Sequence, residues 1–153
     1  MYLESSIVVT RTNEQVWRFF ENGANLVKWD RSVAQVIPTS PEPFGVGSTF
    51  DTIAPTRKGS RKEGMRSSYR FTVFAPNHHA KILLTHSPMF AHAEWTIATE
   101  PVSEGVRITC GLDFALRPRY IFLLPVLLLT YRGAFRRDLT YLKQAIEQNE
   151  HGG

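Results

Sequence analysis

Sustained alternation of apolar and polar residues between positions 68 and 116 most limits what this chain can fold into. In its last stretch, Val106 and Ile108 alternate with Arg107 and Thr109. Successive side chains of a β-strand point to opposite faces, so this pattern predicts strands with one buried face and one face in water. Consecutive strands of this kind, joined by short turns, form an antiparallel sheet.

An amphipathic helix of roughly 25 residues is predicted after the last strand, from about residue 122 to residue 148. Its apolar stripe consists of Leu124, Leu128, Tyr131, Phe135, Leu139, Leu142 and Ile146. Such a helix is about 40 Å long and is the only large apolar element available to cover the sheet. We therefore predict an α+β fold, in which a curved antiparallel sheet of six to seven strands wraps around the C-terminal helix.

The N-terminal part of the chain predicts a first strand followed by two short helices. Residues 2–9 are rich in β-branched side chains. Thr12 and Gln15 have the spacing of a capping box, which marks the start of a helix. Gly23 is expected to end that helix, and a second short helix reaches about Lys28.

Length and composition predict one domain, residues 1–148, with a frayed tail at 149–153. A single cysteine, Cys110, excludes an internal disulfide. The longest apolar run, 121–129, is about half a membrane span, and no signal peptide is recognised at the N-terminus. These features favour a soluble, cytoplasmic protein.

The net charge of +4 is concentrated in one basic segment, 57–70. Its cations are Arg57, Lys58, Arg61, Lys62, Arg66 and Arg70. A solvated hairpin loop is the ordinary interpretation of such a segment, and weak contact with an anionic membrane is the alternative. Nucleic acid is not an expected partner, and the choice between monomer and homodimer stays open.

A curved sheet is not filled by one helix, so the predicted architecture leaves room for an apolar ligand on the inner face. The predicted ligand-binding residues of the sheet are Tyr69, Phe71, Leu84, His86, Trp95, Ile97, Ile108, Cys110, Leu112 and Phe114. Those of the helix are Leu124, Leu128, Arg132 and Phe135. A dry core built from the same side chains is the alternative.

Several short motifs resemble the START-related superfamily, also called SRPBCC, which includes pollen-allergen-like proteins and polyketide cyclases/dehydrases. The motifs are Thr12-Asn13-Glu14-Gln15-Val16-Trp17 after a first strand, Trp29-Asp30, Gly45-Val46-Gly47-Ser48, Trp95, and Gly105-Val106-Arg107-Ile108-Thr109. This resemblance implies a helix-grip fold and a hydrophobic ligand, such as a lipid or a polyketide, held by a carrier or sensor. It does not imply one reaction.

A polyketide cyclase or dehydratase is the catalytic alternative, with His86 as general base and Tyr69 as its polar partner. Only these two polar side chains are predicted to point inward, which favours binding without catalysis. His78 and His79 are adjacent in a turn and lack the spacing of metal ligands, so neither a metal nor a cofactor is expected. A third hypothesis is a membrane- or partner-binding module that uses segments 57–70 and 121–129.

Overall fold

A computed structural model of the protein describes residues 1–56 and 58–148. Its strands are β1 (Tyr2–Val9), β2 (Gln35–Pro38), β3 (Thr49–Ile53), β4 (Arg66–Ala75), β5 (His79–His86), β6 (Phe90–Val102) and β7 (Gly105–Leu116). Its helices are α1 (Asn13–Glu21), a 3₁₀ helix (Gly23–Lys28), a second 3₁₀ helix (Pro118–Leu123) and α2 (Leu124–Gln148). The predicted α+β helix-grip fold is confirmed. Arg57 and the predicted frayed tail lie outside the described residues.

All strands belong to one antiparallel sheet with the order β1-β7-β6-β5-β4-β3-β2. The first strand pairs with the last, and Ile7 lies opposite Ile108 in that pair. Each of the other neighbours is consecutive in the chain, as short turns require. None of the helices among the described residues is both long enough and apolar enough to cross a membrane.

The predicted capping box at the start of α1 is present. The Gln15 amide donates to Thr12 Oγ1 over 3.2 Å, and the Thr12 amide donates to Gln15 Oε1 over 3.0 Å. These bonds satisfy two amides that have no partner within the helix. The helix then buries Val16, Trp17 and Phe19 against the sheet.

The long helix α2 packs on the inner face of the sheet in two clusters. Near its C-terminus, Leu142 and Ile146 join the main core with residues of α1, β1 and β7. Near its N-terminus, Leu128 joins a smaller cluster that contains Leu112 and Phe114. Between these two ends, in the middle of the helix, Phe135 contacts both clusters.

A β-bulge corrects the predicted inward orientation of His86. Ser68 pairs with His86, but the next residue, Tyr69, pairs with Leu84, so Thr85 is an extra residue in β5. An extra residue reverses the alternation of all side chains beyond it. Leu84 therefore shares the inner face with Tyr69, whereas His86 is exposed on the outer face.

Two further bulges change which aromatic side chains point inward. Thr72 is an extra residue in β4, so Phe74 rather than Val73 continues the inner face. Ala91 is an extra residue in β6, so Phe90 points inward, while Ala91 is exposed.

Candidate functional site

A cavity of about 430 Å³ lies between the concave face of the sheet, the first 3₁₀ helix and α2. This volume is in the range that holds a drug-sized molecule. Its walls come from β3, β4, β5, β6 and β7 on one side and from the middle of α2 on the other. The cavity therefore lies at the middle of α2, between the two ends that pack in these clusters.

Twelve aromatic residues line the cavity. Phe50 and Tyr69 stack with ring centroids 5.3 Å apart, at 16° between their planes. On the opposite side, Trp95 stacks on Phe135 of α2 at 5.7 Å and 3°. The other aromatic residues of the wall are Phe19, Phe20, Trp29, Phe44, Phe71, Phe74, Phe90 and Tyr131. Flat, rigid rings of this kind give a large apolar surface that has little conformational entropy to lose.

The structure brings part of the predicted ligand-binding set together. The residues that line the cavity are Tyr69, Phe71, Trp95, Ile97, Cys110, Leu112 and Phe135. The residues that do not line it are Leu84, His86, Ile108, Phe114, Leu124, Leu128 and Arg132.

The predicted residues outside the cavity have structural roles or face water. Ile108 is fully buried in the main core. Leu84, Leu124 and Leu128 pack in the smaller cluster around Phe114. Arg132 and His86 are exposed. An apolar stripe does not distinguish a side chain that fills a core from one that borders a void, because both patterns are apolar.

Asp30 is a buried carboxyl of the cavity wall that the sequence analysis did not select. Only 8% of the residue is exposed. Its Oδ1 accepts hydrogen bonds from the Ser32 amide at 2.9 Å and from Ser32 Oγ at 2.6 Å. Burial raises the pKa of Asp30, while the hydrogen bonds from Ser32 lower it. In the sequence, Trp29-Asp30 is merely the end of a short helix, a place where an aspartate normally faces water.

The other titratable groups of the cavity are grouped around Asp30. Burial first, and then the charge of Asp30, raise the pKa of Tyr69 to about 12 and that of Cys110 to about 12. The same two causes raise the pKa of Tyr131. They also raise the pKa of Asp138 to about 6, against the opposing effect of the Arg31 amide. The cavity therefore has one polar end, where burial favours the uncharged forms of these side chains.

The raised pKa of Asp30 predicts a pH-dependent effect of the variant Asp30→Asn. The folded protein keeps this proton at pH values where the unfolded chain has lost it, so ionisation destabilises the fold as pH rises from about 4 through the raised pKa. An asparagine at this position does not ionise, so the variant avoids this loss of stability. We expect the melting temperature of Asp30→Asn, relative to the parent, to increase as pH rises from about 4 and to level off once pH exceeds the raised pKa of Asp30. Melting curves of both proteins test this, and a difference independent of pH would contradict it.

No group of three or more His, Cys, Asp or Glu side chains with a metal-binding arrangement occurs within 1–56 and 58–148. Cys110 is 1% exposed, and its raised pKa keeps the thiol protonated. Its contribution to the cavity is an apolar surface.

Comparison with known proteins places this architecture in a family. Residues 2–147 match the family described as polyketide cyclase/dehydrase and lipid transport. No curated protein matches the chain.

Solved structures share the fold at low sequence identity. A Thermus thermophilus protein has a TM-score of 0.76 at 15% identity, over 95% of this chain and 97% of its own. A Geobacillus kaustophilus protein has a TM-score of 0.75 at 14% identity, over 97% and 96%. The di-domain ARO/CYC StfQ of the steffimycin biosynthetic pathway has a TM-score of 0.71 at 15% identity, over 98% of this chain and 51% of its own. The sequence match covers almost the whole chain, and the helix-grip architecture agrees with it. The chain belongs to the polyketide cyclase/dehydrase and lipid transport family.

Proposed function

We propose that this protein binds a hydrophobic small molecule in the cavity between the sheet and α2, as a carrier or sensor. The observation that carries the proposal is a space of about 430 Å³ whose walls are mostly apolar and include twelve aromatic residues. Apolar surface that faces an unfilled space lacks the packing contacts of a core, and an apolar ligand would supply them. The membership of a family described by both cyclisation and lipid transport supports a ligand of this class.

The catalytic alternative loses its predicted base. His86 is on the outer face of β5, whereas Tyr69 lines the cavity, so the two side chains do not converge on one substrate. Proton transfer requires the base to lie within hydrogen-bonding reach of the reacting atom. We therefore propose binding, rather than catalysis by the pair His86 and Tyr69, as the function.

A variant that fills the cavity tests this proposal. Ala134 is a half-buried residue of α2 that lines the cavity, and Ala91 is an exposed residue on the outside of β6. We expect Ala134→Trp to abolish binding of the apolar dye N-phenyl-1-naphthylamine, because the indole occupies the ligand's space. Ala91→Trp adds the same side chain outside and should bind the dye as the parent does.

Dye fluorescence, with circular dichroism to confirm that both variants are folded, provides the measurement. Failure of the parent to bind the dye would contradict the proposal. Equal binding by a folded Ala134→Trp would place the dye elsewhere and contradict it too. Native mass spectrometry of protein purified from its own host would then give the mass of the natural ligand.

A further inference from the structure

One oxygen of the Asp30 carboxyl is free to meet a ligand. Both hydrogen bonds that the side chain accepts, from Ser32, end on Oδ1. Within the described ranges Oδ2 has no hydrogen-bond partner, yet it is not among the fully enclosed polar atoms that lack one. Since Asp30 lines the cavity, Oδ2 is the carboxyl oxygen that remains available to a ligand there.

Two arginines, Arg31 and Arg137, line the same cavity as Asp30, and their charges lower the pKa of Asp138. Among residues 1–56 and 58–148, however, no lysine, arginine or histidine forms an ion pair with Asp30. The titratable groups that sense its charge are Tyr69 of β4, Cys110 of β7, and Tyr131 and Asp138 of α2. The described residues therefore leave Oδ2 without a donor, and a ligand could supply one.

We propose that the ligand presents a hydroxyl group to Asp30, on an otherwise apolar body. This inference rests on the proposed binding function and specifies the ligand class. A buried oxygen without a partner is costly, and a hydroxyl donor in the ligand removes that cost only in the complex. Because burial disfavours the charged form of Asp30, a neutral hydroxyl matches this end better than an ammonium group does.

Three ligands with one ring system test the inference: 2-naphthol, 2-methylnaphthalene and 2-naphthoate. Dissociation constants are measured by titration calorimetry at neutral pH. We expect 2-naphthol to bind about tenfold more tightly than 2-methylnaphthalene, the effect of one hydrogen bond to a carboxyl. We also expect it to bind more tightly than 2-naphthoate, which has no hydrogen-bond donor at neutral pH.

Variants of Asp30 distinguish a hydrogen bond to this carboxyl from binding by apolar contacts alone. Asp30→Asn keeps the acceptor for Ser32 and turns an NH₂ donor toward the cavity, so the preference for 2-naphthol over 2-naphthoate should shrink about tenfold. Asp30→Leu should abolish the preference for 2-naphthol over 2-methylnaphthalene, and it keeps the test valid if one variant fails to fold. Asp113→Asn, an exposed carboxyl on β7, serves as control and should leave all preferences unchanged.

The outcomes separate this inference from the function on which it rests. If none of the three ligands binds the parent, the binding function fails. If 2-methylnaphthalene binds as tightly as 2-naphthol, and Asp30→Asn changes no preference, the cavity binds apolar molecules but the hydroxyl inference is overturned.

A separate observation concerns the surface around the start of α2. Four large apolar side chains are exposed there: Ile121 by 57%, Phe122 by 71%, Val126 by 62% and Leu129 by 82%. Val126 and Leu129 are three residues apart in α2 and lie on one side of it, and Phe122 precedes them in the second 3₁₀ helix. We call these four residues the exposed apolar face. A patch of exposed apolar side chains on a protein surface is typical of an interaction site.

The charged residues of the segment that carries the exposed apolar face are all positive. Segment 117–137 contains Arg117, Arg119, Arg132, Arg136 and Arg137, and neither Asp nor Glu. Arg132 and Arg136 continue the side of Leu129 along the helix and are exposed. In the basic segment 57–70, by contrast, Arg66 is paired with Asp51 at 2.8 Å.

We infer that the exposed apolar face docks on an anionic lipid bilayer. Apolar side chains bordered by arginines match a surface that combines an acyl interior with negative headgroups. A second copy of the chain fits less well, because a symmetric dimer through this face would bring the arginines of both copies together with no carboxylate to pair them.

Flotation with vesicles tests the docking. We expect the parent to bind phosphatidylserine-containing phosphatidylcholine vesicles, and about 0.5 M NaCl to release it. The double variant Phe122→Ser/Leu129→Ser should bind about tenfold more weakly, and Arg132→Gln/Arg136→Gln should bind about tenfold more weakly as well. Val46→Ser, which removes another exposed apolar side chain, is the matched control and should bind as the parent does.

Two results would overturn this inference. One is absent binding, or equal binding to vesicles of phosphatidylcholine alone. The other is a dimer of the parent, seen by light scattering, that Phe122→Ser/Leu129→Ser converts to a monomer, which would identify a second copy as the occupant.

Discussion

Replacing Ile108 by alanine is expected to lower the free energy of unfolding by about 2–5 kcal/mol, and by clearly more than the same change at Ile97. Ile108 of β7 is 0% exposed and lies in the main core, away from the cavity. Truncation there leaves a new void among atoms that were in contact. Ile97 of β6 is 6% exposed and borders the cavity, so one side of it already lacks neighbours.

The two substitutions remove the same atoms from neighbouring strands of one sheet, so each serves as the control for the other. Urea denaturation of parent and variants, with equal slopes, gives the two differences in stability. Equal losses for Ile108→Ala and Ile97→Ala would show that the space beside Ile97 is closely packed in solution. The binding proposal would then lose its physical basis.

Gly105→Ala is expected to lower the free energy of unfolding by about 3 kcal/mol or more. Gly105 begins β7 with φ at +144°, a conformation that L-residues rarely adopt. A Cβ there would lie 2.0 Å from the backbone oxygen of Val9 in β1. Neither strand can move away without breaking the β1–β7 pairing. Backbone strain and steric collision with Val9 therefore both disfavour the added methyl group.

Gly133→Ala provides the contrasting control in the middle of α2. A Cβ at Gly133 meets nothing within 4 Å, and its φ is outside the positive range. Alanine should therefore stabilise the protein by about 0.5–1 kcal/mol through helix propensity and a less flexible unfolded chain. Thermal melting of both variants tests the pair. A Gly105→Ala protein as stable as the parent would show that the β6–β7 hairpin can shift away from Val9.

Most of the architecture could be predicted from the sequence because its causes are local. The capping box of Thr12 and Gln15 starts α1 as expected. Alternation along β7 orients Ile108, Cys110 and Leu112 inward, and β7 contains no bulge in its pairing with β1. The period of three to four in the last segment predicts α2. These patterns depend only on whether a period of two residues or one of three to four places the apolar side chains on one buried face.

The positions of the β-bulges could not be predicted from the alternation. Thr72, Thr85 and Ala91 are the extra residues of three bulges, and each reverses the side-chain alternation beyond it. A bulge arises where neighbouring strands must curve together, so it depends on the partner strand as much as on the residue itself. The prediction of the site was therefore wrong at His86, which lies one residue after the bulge at Thr85.

By itself, the sequence determined the order of the elements, the helix-grip class, and the apolar character of the surface between sheet and helix. Only the tertiary structure decided which of those apolar side chains pack and which border the cavity, because that depends on where the curved sheet separates from α2. It also buried Asp30, whose neighbours in the cavity come from β4, β7 and α2. Local patterns carry no information about such distant neighbours, and those neighbours give the cavity its polar end.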